Sequence, residues 1–170
     1  MVQHGGYDLI VIEDFYDVFL EQIKKLEKLP EEFKAAENEN KSKGIESYEQ
    51  YVHAHLLKIL CNHDEANYVI MYMRFMAASY LKQNAILYED FLGGDIAGFC
   101  LREVEQIDVE CDHPQIIAIT NYLNQGVEIN SISSQGAKID ITKIPEDGFA
   151  DNTFVIKVLF VPGHYDALYE

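Results

Sequence analysis

Residues 154–170 read FVIKVLFVPGHYDALYE. Two apolar runs, Phe154–Val161 and Tyr165–Tyr169, flank the break Pro162-Gly163-His164. Val, Ile, Phe and Tyr fill the runs and Pro-Gly marks a turn, so the stretch predicts a β-hairpin. His164 falls where the turn meets the second strand, and Asp166 follows two residues on. Residues i and i+2 of a strand project from one face, which brings the carboxylate beside the imidazole at the hairpin rim. A carboxylate bonded to one ring nitrogen fixes the tautomer and leaves the other nitrogen as a base. A pair of solvated turn residues would show the same spacing, so spacing alone leaves both readings open.

Working back from the hairpin, Val127–Ile132 and Ala137–Ile144 are also short and β-branched, and Ser/Gln/Gly or Pro/Glu/Asp/Gly turns separate the strands. Everything before them reads as helix. Asp112-His113-Pro114-Gln115 is a capping box with proline in the first turn, opening a helix that runs to Leu123 and ends near Gly126. Asp95 caps a helix to about Val104, with Ile96, Phe99, Cys100 and Val104 inward, and Gly93-Gly94 stops a short helical piece over Ile86–Leu92. Asp64 is the expected N-cap of Ala66–Leu81, which is apolar around most of its circumference and therefore central. Helices first and a small antiparallel sheet second define an α+β fold.

The N-terminal part carries two more helices. Ile12, Phe15, Phe19, Ile23 and Leu26 recur at spacings of three and four over Ile12–Leu29, and Pro30 is expected to end that helix. Glu31–Ser47 is Lys/Glu/Asn-rich with few large apolar residues and reads as a flexible loop. Tyr48–Leu60 then presents a broad face of Tyr51, Val52, His55, Leu56, Ile59 and Leu60. With 170 residues, 48% of them apolar, the chain is expected to form one domain over 1–170. A net charge of −16 makes nucleic acid a poor partner. No 18-residue apolar run predicts a membrane span and Met1–Gly6 lacks a signal-peptide core, which points to a soluble intracellular protein. Three cysteines at irregular spacing, Cys61, Cys100 and Cys111, agree with a reducing compartment.

Other candidate chemistry is weaker. Cys61-x-His63 and Cys111-x-His113 lack the paired-knuckle spacing of zinc sites, so no metal is expected. Cys100 lies on an inward helical face, where a thiol is inert filler. Gly93-Gly94-Asp95 and Asp147-Gly148-Phe149 lack the length and the Lys-Ser/Thr ending of a phosphate loop, so they read as turns and no cofactor is implied.

Four segments carry a family resemblance: PGHYDALY at the C-terminus, DHPQIIAI opening its helix, YVIMYMRFMAASYL before LYEDFLGG, and IEDFYDVFL. In order, and over nearly the whole chain from Gly6 to Tyr169, they resemble the otubain family, the ovarian-tumour-type deubiquitinating cysteine peptidases. The resemblance implies a papain-like α+β fold, removal of ubiquitin from lysine-linked conjugates, His164 as general base and Asp166 as the residue orienting it. It implies ubiquitin or polyubiquitin, and ubiquitin-conjugating enzymes, as partners, and a cytoplasmic and nuclear setting.

The chain departs from the family at one point. Otubains carry the nucleophilic cysteine in an Asp-Gly-Asn-Cys-Phe-type motif upstream of everything quoted above, and neither Gly94-Asp95 nor Asp147-Gly148 is followed by cysteine. The chain therefore reads as N-terminally truncated relative to the family, holding the His/Asp half of a triad. A base without its nucleophile cannot attack an isopeptide carbonyl, so the chain alone is expected to be inactive. The alternative is a non-catalytic protein that binds ubiquitin or a ubiquitin-conjugating enzyme. Cys100 is expected to be buried, and no thiol to lie within hydrogen-bond reach of His164.

Overall fold

A computed structural model describes residues 7–132, 139–146 and 154–168. The Ser/Gln/Gly turn, the start of the strand at Ala137, the Asp147-Gly148-Phe149 turn and Tyr169 fall outside that range. Two compact units can be told apart, Tyr7–Met73 and a second beginning at Arg74, with the boundary inside helix α4 (His63–Gln83).

The first unit is helical. In α1 (Leu9–Ala35) the Asp8 side chain accepts from the Ile10 amide, and Ile12 and Leu29 are buried. Rings lock α1 to the start of α4, with Phe15 5.1 Å from Tyr68 and Phe19 4.9 Å from Tyr72. Contrary to the sequence expectation, Pro30 does not end α1, which continues to Ala35. The missing amide costs one helical bond. Against it stand Leu29, buried on one side of the proline, and Phe33 on the other, with its ring 5.6 Å from Tyr48 and 5.3 Å from Tyr51.

The expected loop Glu31–Ser47 is likewise mostly helix, first the end of α1 and then α2 (Glu37–Ser42). Asn40 is buried there, donating from its side chain to Phe33 O at 3.3 Å and accepting from the Ile45 amide at 2.9 Å. Those bonds fold a polar segment that has no apolar stripe to announce it. Helix α3 (Tyr48–Leu60) follows, opened by a Ser47/Gln50 capping box. Its apolar face is narrower than the sequence suggests: Tyr51 is buried, whereas Leu56 and Leu60 are exposed. Helix α4 starts at His63, so Asp64 sits in the first turn and not at the cap, its charge near the positive end of the helix dipole.

The second unit is α+β. From Arg74 to Leu81 nearly every residue of α4 is buried, Ala78 and Leu81 completely. Helix α5 (Ala85–Leu92) ends at Gly93, whose φ of 78° is a left-handed C-cap. Asp95 caps α6 (Ile96–Phe99) by accepting from the Gly98 amide, and the helix then loosens into a π-helical turn over Cys100–Val104, where a continuous α-helix was expected. Arg74 reaches under that turn, donating to Val104 O at 3.1 Å and to Val109 O at 2.5 Å. Helix α7 (His113–Leu123) has the expected Asp112/Gln115 capping box. It stops at Asn124, which adopts φ 52° two residues before Gly126.

Four strands close the unit: β1 (Gly126–Ile132), β2 (Ile139–Ile144), β3 (Val155–Val161) and β4 (His164–Ala167). Their order is β2-β1-β3-β4. The sheet is mixed, not wholly antiparallel, because β1 and β3 pair in parallel with Ile129 opposite Val158. The chain reverses at β2 and again before β3, so the strand that joins the free side of β1 must run in the direction of β1. Val127, Ile129 and Ile144 form the buried centre, and Ile116 and Ile117 of α7 pack on it beside Val158, Phe160 and Tyr165. The β3–β4 hairpin forms as read, with Val161 opposite His164 across Pro162-Gly163. Gly163 has φ 84°, the value that the third position of a type II turn demands after proline.

Candidate active site

Strand alternation decides which side chains of β4 meet which chemistry. His164 and Asp166 share one face, with His164 Nε2 3.2 Å from Asp166 Oδ1. Nε2 is thus the ring nitrogen paired with the carboxylate, and in the tautomer that carries its proton there Nδ1 has the lone pair. Both side chains are largely in water. The side-by-side arrangement at the hairpin rim is the one the i, i+2 spacing predicts.

Tyr165, between them, points the other way. Its ring lies 4.7 Å from Phe160 and its hydroxyl is 2.8 Å from His113 Nδ1 and 3.4 Å from Asp112 Oδ1. Asp112 also accepts from the His113 amide at 2.8 Å and lies 3.0 Å from His113 Nδ1. The hydrogen bonds from the His113 side chain and amide hold the Asp112 carboxyl below the usual carboxylate range. Burial, then the Asp112 charge, pushes the Tyr165 phenol well above its ordinary value, so it stays a neutral donor. Tyr165 and His113, with Phe160, Cys111 and Phe91, line an open cavity of about 730 Å³ in this unit.

The three thiols differ in exposure. Cys100 is fully buried, its Sγ 3.7 Å from Ala78 O, and burial pushes its pKa up to about 11. Cys61 and Cys111 are exposed. Among the described residues no hydrogen bond joins any of the three to His164, and no group of three or more His, Cys, Asp or Glu converges as a metal site would require.

Sequence reasoning read Asp112 and His113 as the start of a helix, weighed His113 otherwise only as a zinc ligand, and gave Tyr165 no role beyond its strand. One signal was available: a residue between two outward-facing strand positions must face inward. Its partners 52 and 53 residues away left no local trace.

The second unit thus presents an exposed His–carboxylate pair on its terminal hairpin, in an α+β setting. The description peptidase C65 otubain matches residues 1–170, and the chain belongs to that family. It is similar to a ubiquitin thioesterase otubain-like protein of Caenorhabditis briggsae, 36% identical over 121 residues, covering 68% of this chain and 42% of the relative. It is 26% identical to ubiquitin thioesterase OTUB1 of Homo sapiens over 168 residues, covering 97% and 53%. The chain thus spans about half the length of the relatives it matches. Among solved structures it resembles ceOTUB1 in a complex with ubiquitin aldehyde and UBC13~Ub, with TM-score 0.66, 25% identity and coverage of 97% of this chain and 60% of that one. It also resembles h/ceOTUB1 with ubiquitin aldehyde and UBCH5B~Ub, with TM-score 0.67, 26% identity and coverage of 96% and 57%.

Proposed function

We propose that this chain supplies the base half of an otubain-type ubiquitin isopeptidase. The 3.2 Å His164–Asp166 contact carries the reading. In that chemistry a cysteine thiol gives its proton to His164 Nδ1, and the thiolate attacks the isopeptide carbonyl. The imidazolium then returns the proton to the departing lysine amine, while Asp166 keeps the ring oriented and offsets its charge. None of the three thiols of this chain is joined to His164, so the chain by itself binds but does not cleave. The ligands it would bind are ubiquitin and polyubiquitin, in the cytoplasm and nucleus.

The binding reading has support of its own, since the similar solved structures are complexes with ubiquitin aldehyde and ubiquitin-charged UBC13 or UBCH5B. Titrating unlabelled ubiquitin into the ¹⁵N-labelled chain tests the proposal. The expected result is saturable shifts of the His164–Ala167 amides. Unchanged spectra up to millimolar ubiquitin overturn it. Slower discharge of a ubiquitin-charged conjugating enzyme in the presence of the chain, with no shift at β4, would favour the non-catalytic role.

A further inference from the structure

We propose that Tyr165 is a positioning residue, and that its hydroxyl, held at His113 and Asp112, sets which way His164 and Asp166 face. This deepens the reading above and rests on it for the roles of the pair, but not for the geometry. β4 is an edge strand of four residues, held on one side only by its ladder to β3. An edge strand this short has little of its own to fix its register. A slip of one residue would turn His164 and Asp166 inward and Tyr165 outward, because strand side chains alternate.

The opposite face of β4 holds what prevents the slip. The Tyr165 ring packs on Phe160, its cross-strand partner, and within 5.9 Å of the His113 ring, while His113 stands edge-on to Phe160 at 5.2 Å. The phenol donates to His113 Nδ1 when the imidazole proton is on Nε2. When the proton is on Nδ1, it donates to Asp112 Oδ1 instead. Either tautomer therefore keeps a bond from β4 to the first residues of α7. Asp112 and His113 are themselves fixed by the capping box and the helix they open. The phenol thus ties the edge strand to the capped start of α7.

The test uses the full chain and two variants. Tyr165→Phe keeps the ring and removes the hydroxyl, and His113→Ala removes the nearer acceptor at 2.8 Å together with the ring packed on Phe160, leaving the phenol only the 3.4 Å contact to Asp112. Expected in both is at least tenfold faster amide exchange at Leu168, which donates to Lys157 O at 2.9 Å across the hairpin. The nuclear Overhauser contact between the His164 ring and the Asp166 β-protons should also weaken, with β1 exchange unchanged. His113→Gln, whose amide can still meet the phenol, should restore both signals. Wild-type exchange and an intact His164–Asp166 contact in Tyr165→Phe and His113→Ala overturn the proposal. So does failure of His113→Gln to recover either signal. None of these readouts depends on ubiquitin, so a chain that ignores ubiquitin but shows them refutes only the functional reading.

Discussion

Asp166 Oδ1 lies 3.2 Å from His164 Nε2, and the two side chains are 65% and 61% exposed. An ion pair this wet contributes about 0–1 kcal/mol to stability. A stabilising role therefore explains little about its placement. Asp166→Asn should leave thermal unfolding within about 0.5 kcal/mol of wild type, as for most surface substitutions. Calorimetry checks this, and a loss well above 1 kcal/mol would make the pair structural.

Pro30 gives a prediction of opposite sign. A proline inside a helix costs about 3 kcal/mol against alanine, although that figure belongs to unstrained interior positions. Pro30 is exposed and α1 passes through it. Pro30→Ala should stabilise the chain by about 1–3 kcal/mol, read from urea midpoints at constant slope. If the variant is neutral or weaker, the proline is compensated by its surroundings. Phe33→Ala, which removes the ring between Tyr48 and Tyr51, should destabilise by about 2–4 kcal/mol on the scale of large-to-small aromatic changes.

These positions also show how much was legible in the chain. The hairpin, the α7 capping box and the Gly93 stop were readable because turn and cap residues act within four positions of themselves. α2 was not: Asn40 is buried by bonds to Phe33 and Ile45 that no periodicity reveals. Ser47-x-x-Gln50 was a readable helix start that the sequence reading did not use. Pro30 misled because a local propensity was overruled by Leu29 and Phe33 on either side. Parallel pairing of β1 with β3 depends on strand order, which composition does not encode. At the site, the i, i+2 rule placed His164 beside Asp166, but the clamp on Tyr165 joins residues more than fifty positions apart.

The thiols should separate in reactivity. Cys100 is buried and its thiol is pushed up to about 11, so at pH 8 it is almost wholly protonated and shielded. Iodoacetamide at pH 8 should modify Cys61 and Cys111 within minutes and spare Cys100 until denaturant is added. Peptide mapping by mass spectrometry shows which. Early modification of Cys100 would contradict its place in the core.

Acid should loosen the α7 end of the second unit. The Asp112 carboxyl is held below its ordinary 3.8 in the folded chain. A depressed folded pKa contributes stability above the unfolded value, and that stability is lost as pH falls through the folded one. Asp112→Asn keeps a good N-cap but removes the titration, so its melting temperature should fall less steeply than wild type from pH 5 to pH 3. Equal slopes would mean that Asp112 takes no part in acid unfolding.

The remaining prediction concerns activity. The chain alone should neither hydrolyse di-ubiquitin nor be labelled by a ubiquitin probe bearing a C-terminal electrophile. Imidazole and carboxylate can accept and hold a proton, but they do not replace a thiolate aimed at the carbonyl. Cys100 is sealed in the core, and neither Cys61 nor Cys111 is hydrogen-bonded to His164. Removing one member of a catalytic unit leaves only the residual effect of binding and oxyanion stabilisation. Fusing an upstream segment that contains an Asp-Gly-Asn-Cys motif should permit labelling, and His164→Ala in that fusion should abolish it. A probe adduct on the unfused chain, mapped to Cys61, Cys100 or Cys111 and prevented by His164→Ala, would place the nucleophile within these 170 residues and reverse the assignment.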